Sequence, residues 1–264
     1  MKSLAIFVAT LALGISAMAA NCPSKPQKIR VIDLKSGWWQ GDGMDTDSYV
    51  IKHLEINCPN VKVYYEHQLY GGFGPHGTGP TPNVEPDQVW LLSGSELDSA
   101  DLPLGSPAFK RYLDLIVTGK ANVFLGTGFG NVVHANAVTE GLGLGKLLVA
   151  LHSTAEYPNP TTVATVSELP LAQLDCTHPL FKDLTALPDI MNVGGFVAPN
   201  DQIVTNQNVR VLAKTAEGAT LIGEANLGSR KVIIDANLAR TYQIRNGDEN
   251  IKKYLLNLTA ALED

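Results

Sequence analysis

The stretch ANVFLGTGFG, residues 121–130, decides the fold of this chain. Its first half is a short apolar run of the kind that forms a buried strand. Its second half, Gly126-Thr127-Gly128-Phe129-Gly130, is a glycine-rich turn opening a helix that runs from near Gly130 to Val138. A turn of this design is where α/β hydrolytic enzymes hold a nucleophile between flanking glycines. Here the central position is Gly128, so the backbone of a catalytic elbow is expected without the side chain that would do the chemistry.

Outward from this stretch, strands and helices alternate. Residues 29–34 (IRVIDL), 61–65 and 88–92 are β-branched or aromatic runs, and residues 123–125 form a fourth strand. Residues 45–57, with Tyr49, Val50, Leu54 and Ile56 at roughly helical spacing, and residues 106–118 are predicted helices. Residues 147–151 are read as a fifth strand. Beyond them the pattern changes: residues 162–166, 192–198, 209–215, 219–225 and 231–235 are strand-like without intervening helices. Residues 249–262 close the chain as an amphipathic helix with Ile251, Tyr254, Leu255, Leu258 and Leu262 on one face. The expected fold is α/β, a mostly parallel sheet flanked by helices, with an antiparallel β extension in the C-terminal half.

The first twenty residues stand apart from this pattern. Lys2, an apolar run from Leu4 to Ile15 and the small-x-small Ala17-Met18-Ala19 predict a secretory signal peptide cleaved after Ala19 or Ala20. The run is too short for a comfortable membrane span, and Ala-Ala-Asn before Cys22 is not a lipidation signal, so no stable membrane anchor is expected. The expectation is a periplasmic or secreted protein with one domain over residues 21–264. A formal net charge of −6 without a basic run argues against nucleic acid as a partner. No cofactor and no metal is expected. In an oxidising compartment Cys22 and Cys58, each shortly before a parallel strand, are the natural disulfide couple, and Cys176 is left over. The glycine- and proline-rich residues 71–86 make a long loop, either a plain surface connection or a close backbone approach to a ligand.

Val89-Trp90-Leu91-Leu92-Ser93-Gly94-Ser95, the turn Gly126–Gly130 and Gly228-Ser229-Arg230-Lys231-Val232-Ile233-Ile234 together resemble the class I glutamine amidotransferase-like superfamily, over most of the mature chain. The resemblance implies a flavodoxin-like α/β fold. It also implies an elbow G-x-C-x-G with cysteine as nucleophile, served by a histidine and a glutamate after a late strand. Gly128 stands at the cysteine position, and Asp235-Ala236-Asn237, at the late-strand place, contains neither partner. Glutamine hydrolysis by that mechanism is therefore not expected.

What remains is a candidate ligand site at the carboxyl ends of the strands. Gly126, Gly128, Phe129 and Gly130 would present backbone N–H groups at a helix N-terminus, where anions are favoured, with Ser93, Gly94 and Ser95 ending the adjacent strand. The competing reading is that these glycines only permit a tight turn. Trp38, beside Trp39, is either an aromatic wall of that crevice or core. His134, one turn into the elbow helix, is either a site residue or a satisfied interior histidine. Glu96 and Asp98 stand just after Ser95, and Cys176 and His178 set a thiol and an imidazole two residues apart, a nucleophile pair or plain turn chemistry. Three functions follow. One is noncatalytic binding of a small polar or anionic ligand or a protein partner. Another is a hydrolase of different design using His134, Glu96 or Cys176. The third is a structural or host-facing secreted protein.

Overall fold

The computed structural model describes residues 21–34, 46–67, 72–73, 84–94, 102–128, 132–150, 167–170, 173–193, 196–198, 201–216 and 218–263. The expected signal peptide, Trp38, Ser95, Glu96, Asp98, Phe129, Gly130 and the strand expected at 162–166 lie outside them.

Five strands run parallel: β1 (Gln27–Asp33), β2 (Val61–His67), β4 (Gln88–Gly94), β5 (Asn122–Gly128) and β13 (Arg230–Asp235), in the order β2-β1-β4-β5-β13. Antiparallel strands extend both sides. β3 (Gly72–Phe73) pairs with β2, and β12 (Thr220–Leu227) pairs with β13. β10 (Asp201–Ile203) and β11 (Arg210–Lys214) pair with β12, and β6 (Leu148–Ala150) with β10. A separate three-stranded sheet is made of β7 (Ser167–Pro170), β8 (Ala186–Val193) and β9 (Phe196–Ala198). The expected parallel sheet with an antiparallel extension is what the chain forms.

The central strands read as unbroken apolar runs because helices cover them on both sides. One face carries Ile29, Val31, Trp90, Phe124 and Ile233 against α1 (Thr46–Asn57) and α4 (Glu249–Ala261). The other carries Ile32, Val89, Leu91, Val123 and Ile234 against α2 (Pro107–Thr118) and α3 (Val133–Gly141). Helix α2 starts where Ser106 caps it, its Oγ accepting from Phe109 N at 3.2 Å, with Pro107 in the first turn. Phe109, Tyr112 and Ile116 form its buried stripe. Asp248 caps α4 through Ile251 N at 2.9 Å, and all five apolar residues expected on its inner face are buried.

Several elements depart from expectation. Strand β5 continues through Gly126-Thr127-Gly128, all buried, so those residues belong to the sheet and not to a turn. Gly126 has a packing reason: a Cβ there would sit 2.7 Å from Leu238 Cδ1. Residues 147–151 give only the short edge strand β6, and β13 takes the fifth parallel place. The Asn136 side chain holds Leu148 through both its N and O, keeping that segment beside α3 and away from β5. Residues 192–198 fall in two strands, β8 and β9. Ile56 faces solvent at 78 % exposure, and the buried side of α1 runs through Val50 and Leu54. A 3-10 helix over Leu238–Asn246 follows β13; its polar sequence carries no periodic apolar face to announce it. Cys22 and Cys58 form a disulfide with Cα atoms 5.4 Å apart.

Candidate functional site

The parallel register lines up the carboxyl ends. Asp33 pairs with Leu92, Leu92 with Gly126, and Gly126 with Asp235; one step further, Ser93 pairs with Thr127 and Gly94 with Gly128. Since side chains alternate along a strand, Ser93 and Thr127 lie on the α2/α3 face. Asp33 and Asp235 lie on the α1/α4 face.

On the α2/α3 face, Ser93 is 1 % exposed, and its Oγ has no hydrogen-bond partner among the described residues. Its neighbour Thr127 donates its hydroxyl to the Asp201 carboxylate, and both residues are fully buried. His134 enters from the first turn of α3. Its ring packs edge-on against Phe109, centroids 4.9 Å apart, and Nε2 lies 2.7 Å from Leu102 O. Nδ1 of this 0 % exposed ring also lacks a partner among the described residues. A buried polar atom left unpaired costs about 1–3 kcal/mol, so two on one face of adjacent elements are a feature to be explained. Val132 precedes α3 without a side-chain cap, leaving the first-turn amides of that helix uncapped by a side chain.

On the opposite face the Asp235 carboxylate is enclosed. Asp235 Oδ2 accepts from Tyr254 Oη at 2.8 Å and pairs with Arg240 Nε at 3.0 Å, while its Oδ1 accepts from Asn237 N at 2.9 Å. Arg240 also donates Nη1 to Pro188 O, joining the small sheet to the main one; its Nη2 has no partner among the described residues. Burial, then the Asp235 charge, pushes the Tyr254 hydroxyl well above its ordinary range, so it remains a donor. The place where the resemblance would put a histidine and a glutamate therefore holds a buried ion pair. Arg240 and Tyr254 were not legible in advance, because nothing local marks two residues on later elements as partners of Asp235. On the α2/α3 face, at the end of β2, Glu66 is enclosed by Arg30 at 3.1 Å, Arg111 at 2.5 Å and Tyr112 Oη at 2.7 Å.

Cys176 and His178 are not brought together as a nucleophile and base. His178 caps the 3-10 helix Pro179–Phe181, its Nδ1 accepting from Leu180 N at 3.2 Å, and its Nε2 faces Glu224 Oε1 at 3.4 Å. That hydrogen bond holds the Glu224 carboxyl below its ordinary range. With both ring nitrogens engaged, the imidazole has no lone pair left for the exposed Cys176 thiol. Among the described residues no group of three or more His, Cys, Asp or Glu is placed to hold a metal, and no helix is long and apolar enough to cross a membrane.

No protein-family profile matches the chain, and no curated protein does. Solved structures do. A protein described as a GMP synthase component from Thermoplasma acidophilum is 10% identical over 87% of this chain and 94% of its own, with a TM-score of 0.42. A ThuA-like protein from Parabacteroides merdae is 13% identical over 90% of this chain and 89% of its own, with a TM-score of 0.40. The exo-beta-1,4-mannosidase Op5Man5 from Opitutaceae bacterium strain TAV5 is 12% identical over 91% of this chain, with a TM-score of 0.45; the chain spans only 36% of that enzyme. The first two are of class I glutamine amidotransferase-like fold. At such identities, and with TM-scores below one half, none of the three bears on what this chain does.

Proposed function

We propose that this is an exported protein of amidotransferase-like design that lacks the Cys-His-Glu machinery and binds a small polar or anionic ligand where β4 and β5 end. The observation that carries the reading is the pair of buried, unpartnered polar atoms, Ser93 Oγ and His134 Nδ1, on the α2/α3 face. Gly128, which the resemblance sets at the nucleophile position and which ends β5, has no group to form an acyl intermediate, which supports binding without amide hydrolysis. The uncapped start of α3 supports an anionic group at its amides. A library of small polar and anionic compounds, screened by thermal shift against the mature chain, is expected to yield a stabilising ligand. Its affinity is expected to fall in Gly128→Val, with no ammonia released from glutamine. A folded Gly128→Val protein that keeps full affinity sinks the proposal.

A hydrolase reading has one observation in its favour: His134 Nδ1 is buried and without a partner among the described residues, as a ring nitrogen kept to take a proton would be. It requires ester or amide cleavage by the purified chain that disappears in His134→Gln. Silence across a panel of both bond types leaves binding alone.

A further inference from the structure

Resting on that reading of the site, we infer that the group bound at Ser93 and His134 is a hydrogen-bond donor, a hydroxyl or amino group of the ligand, and not the oxygen of an anion. Leu102 O, 2.7 Å from Nε2, can only accept, so Nε2 carries the ring proton. In the neutral ring Nδ1 is then a lone pair, fully buried and without a partner among the described residues. A lone pair is met only by an N–H or O–H; an anionic oxygen would leave it unmet and repel it.

The rest of the wall agrees. Ser93 is flanked in register by Thr127, whose hydroxyl is already given to the buried Asp201 carboxylate. No hydrogen bond or ion pair of Ser93, Thr127 or His134 among the described residues involves Lys or Arg, and the charged group they meet is the Asp201 carboxylate. The N-terminus of α3, without a side-chain cap, favours negative charge, but that dipole effect is weaker than the penalty of an orphaned buried acceptor. Ser93 Oγ both donates and accepts, so a ligand hydroxyl meets either demand: it accepts from Ser93 or donates to His134.

The test uses the mature chain labelled with 15N-histidine at pH 8, above the ordinary imidazole pKa of about 6.5. Glycerol serves as a neutral donor probe, acetate and inorganic phosphate as anionic probes. The His134 ring-nitrogen resonances are assigned by their loss in His134→Gln, whose amide still reaches Leu102 O but offers no acceptor where Nδ1 stood. The expected result is a saturable shift of the His134 resonances with glycerol and none with acetate or phosphate; in a uniformly 15N-labelled chain, whose backbone amide shifts report binding in both proteins, glycerol affinity falls at least tenfold in His134→Gln at unchanged Tm. Saturable binding of acetate or phosphate, equal in both proteins, overturns the donor assignment and leaves the site standing. Glycerol binding equal in both proteins also overturns it. If no probe moves the His134 resonances, the donor assignment and the site fail together.

Discussion

The two ends of the parallel sheet treat buried polar groups in opposite ways. At the amino end, Gln88 Nε2 donates to Gln27 Oε1 and to Thr259 O, each at 2.8 Å, while its Oε1 accepts from Trp90 Nε1 at 3.1 Å. Asn122 reaches Leu262 O at 2.8 Å, and Lys231 Nζ reaches Ala261 O and Glu263 O. Side chains of the strands thus satisfy the last carbonyls of α4, which no intrahelical donor can reach. At the carboxyl end, on the α2/α3 face, Ser93 and His134 keep polar atoms buried and unpaired among the described residues. Asn21 Oδ1, just ahead of β1, is a buried atom left without a partner at the amino end among the described residues. A chain whose strand side chains are satisfied at one end of the sheet and left unsatisfied on one face of the other separates stability from binding along the strand direction, the general habit of open α/β sheets.

The comparison is tested most severely at the amino end. The Cys22–Cys58 disulfide lies there, ahead of β1 and β2, across a sequence separation of 36. Replacing both cysteines by serine is expected to lower unfolding stability by about 4 kcal/mol, from the loop entropy returned to the unfolded chain. Urea denaturation measures this, and ligand affinity of the folded fraction should not move. Next in size is Gln88→Leu, which strands the Trp90 N–H and the Thr259 carbonyl in the core at a cost of about 3 kcal/mol. If either change weakened ligand binding in protein that remains folded, the division of labour between the two ends would be wrong.

How much of this was legible follows the same division. β1, β2, β4 and β5, with α2 and α4, announce themselves through apolar runs and helical periodicity, all local signals, whereas the fifth parallel place, expected at 147–151, went to β13. The disulfide was readable because two residues precede two neighbouring strands. Gly126-Thr127-Gly128 was misread as a turn because glycine reports a need for space without saying who fills it, and the neighbour, Leu238, arrives more than a hundred residues later. His134 and Ser93 were legible as residues near a strand end, but not the Leu102 carbonyl that sets the histidine's tautomer. The Asp235–Arg240–Tyr254 and Glu66 clusters were invisible, since long-range partners of a buried charge leave no local pattern.

A smaller effect is expected from pH. Burial beneath α4 lowers the pKa of His53 on α1, and a hydrogen bond to Lys252 O opposes it in part. The folded state therefore holds the ring neutral to lower pH than the unfolded chain does. Above about 6.5 both states are neutral and the contribution is complete. As pH falls below that, the unfolded state takes up the proton first and stability declines until the folded ring titrates too. Urea midpoints measured from pH 8 to pH 5 should fall in the wild type and fall less in His53→Gln. An equal fall in both assigns the pH dependence elsewhere.

Smallest of all in stability, and most telling for the comparison, is Ser93→Ala. The hydroxyl it removes is 1 % exposed and makes no hydrogen bond among the described residues, so no partner there is left unsatisfied by its loss. Desolvating that hydroxyl is a cost the folded protein already bears, and alanine removes it. The expected change is between zero and a gain of about 1 kcal/mol, against the loss expected for Gln88→Leu from the same class of substitution at the other end. Affinity for the ligand should fall at the same time. Stability and binding moving in opposite directions at Ser93, and stability alone moving at Gln88, is the signature of a residue kept for what it binds. If Ser93→Ala destabilises as Gln88→Leu does, the hydroxyl has a structural partner, and the carboxyl end is as closed as the amino end.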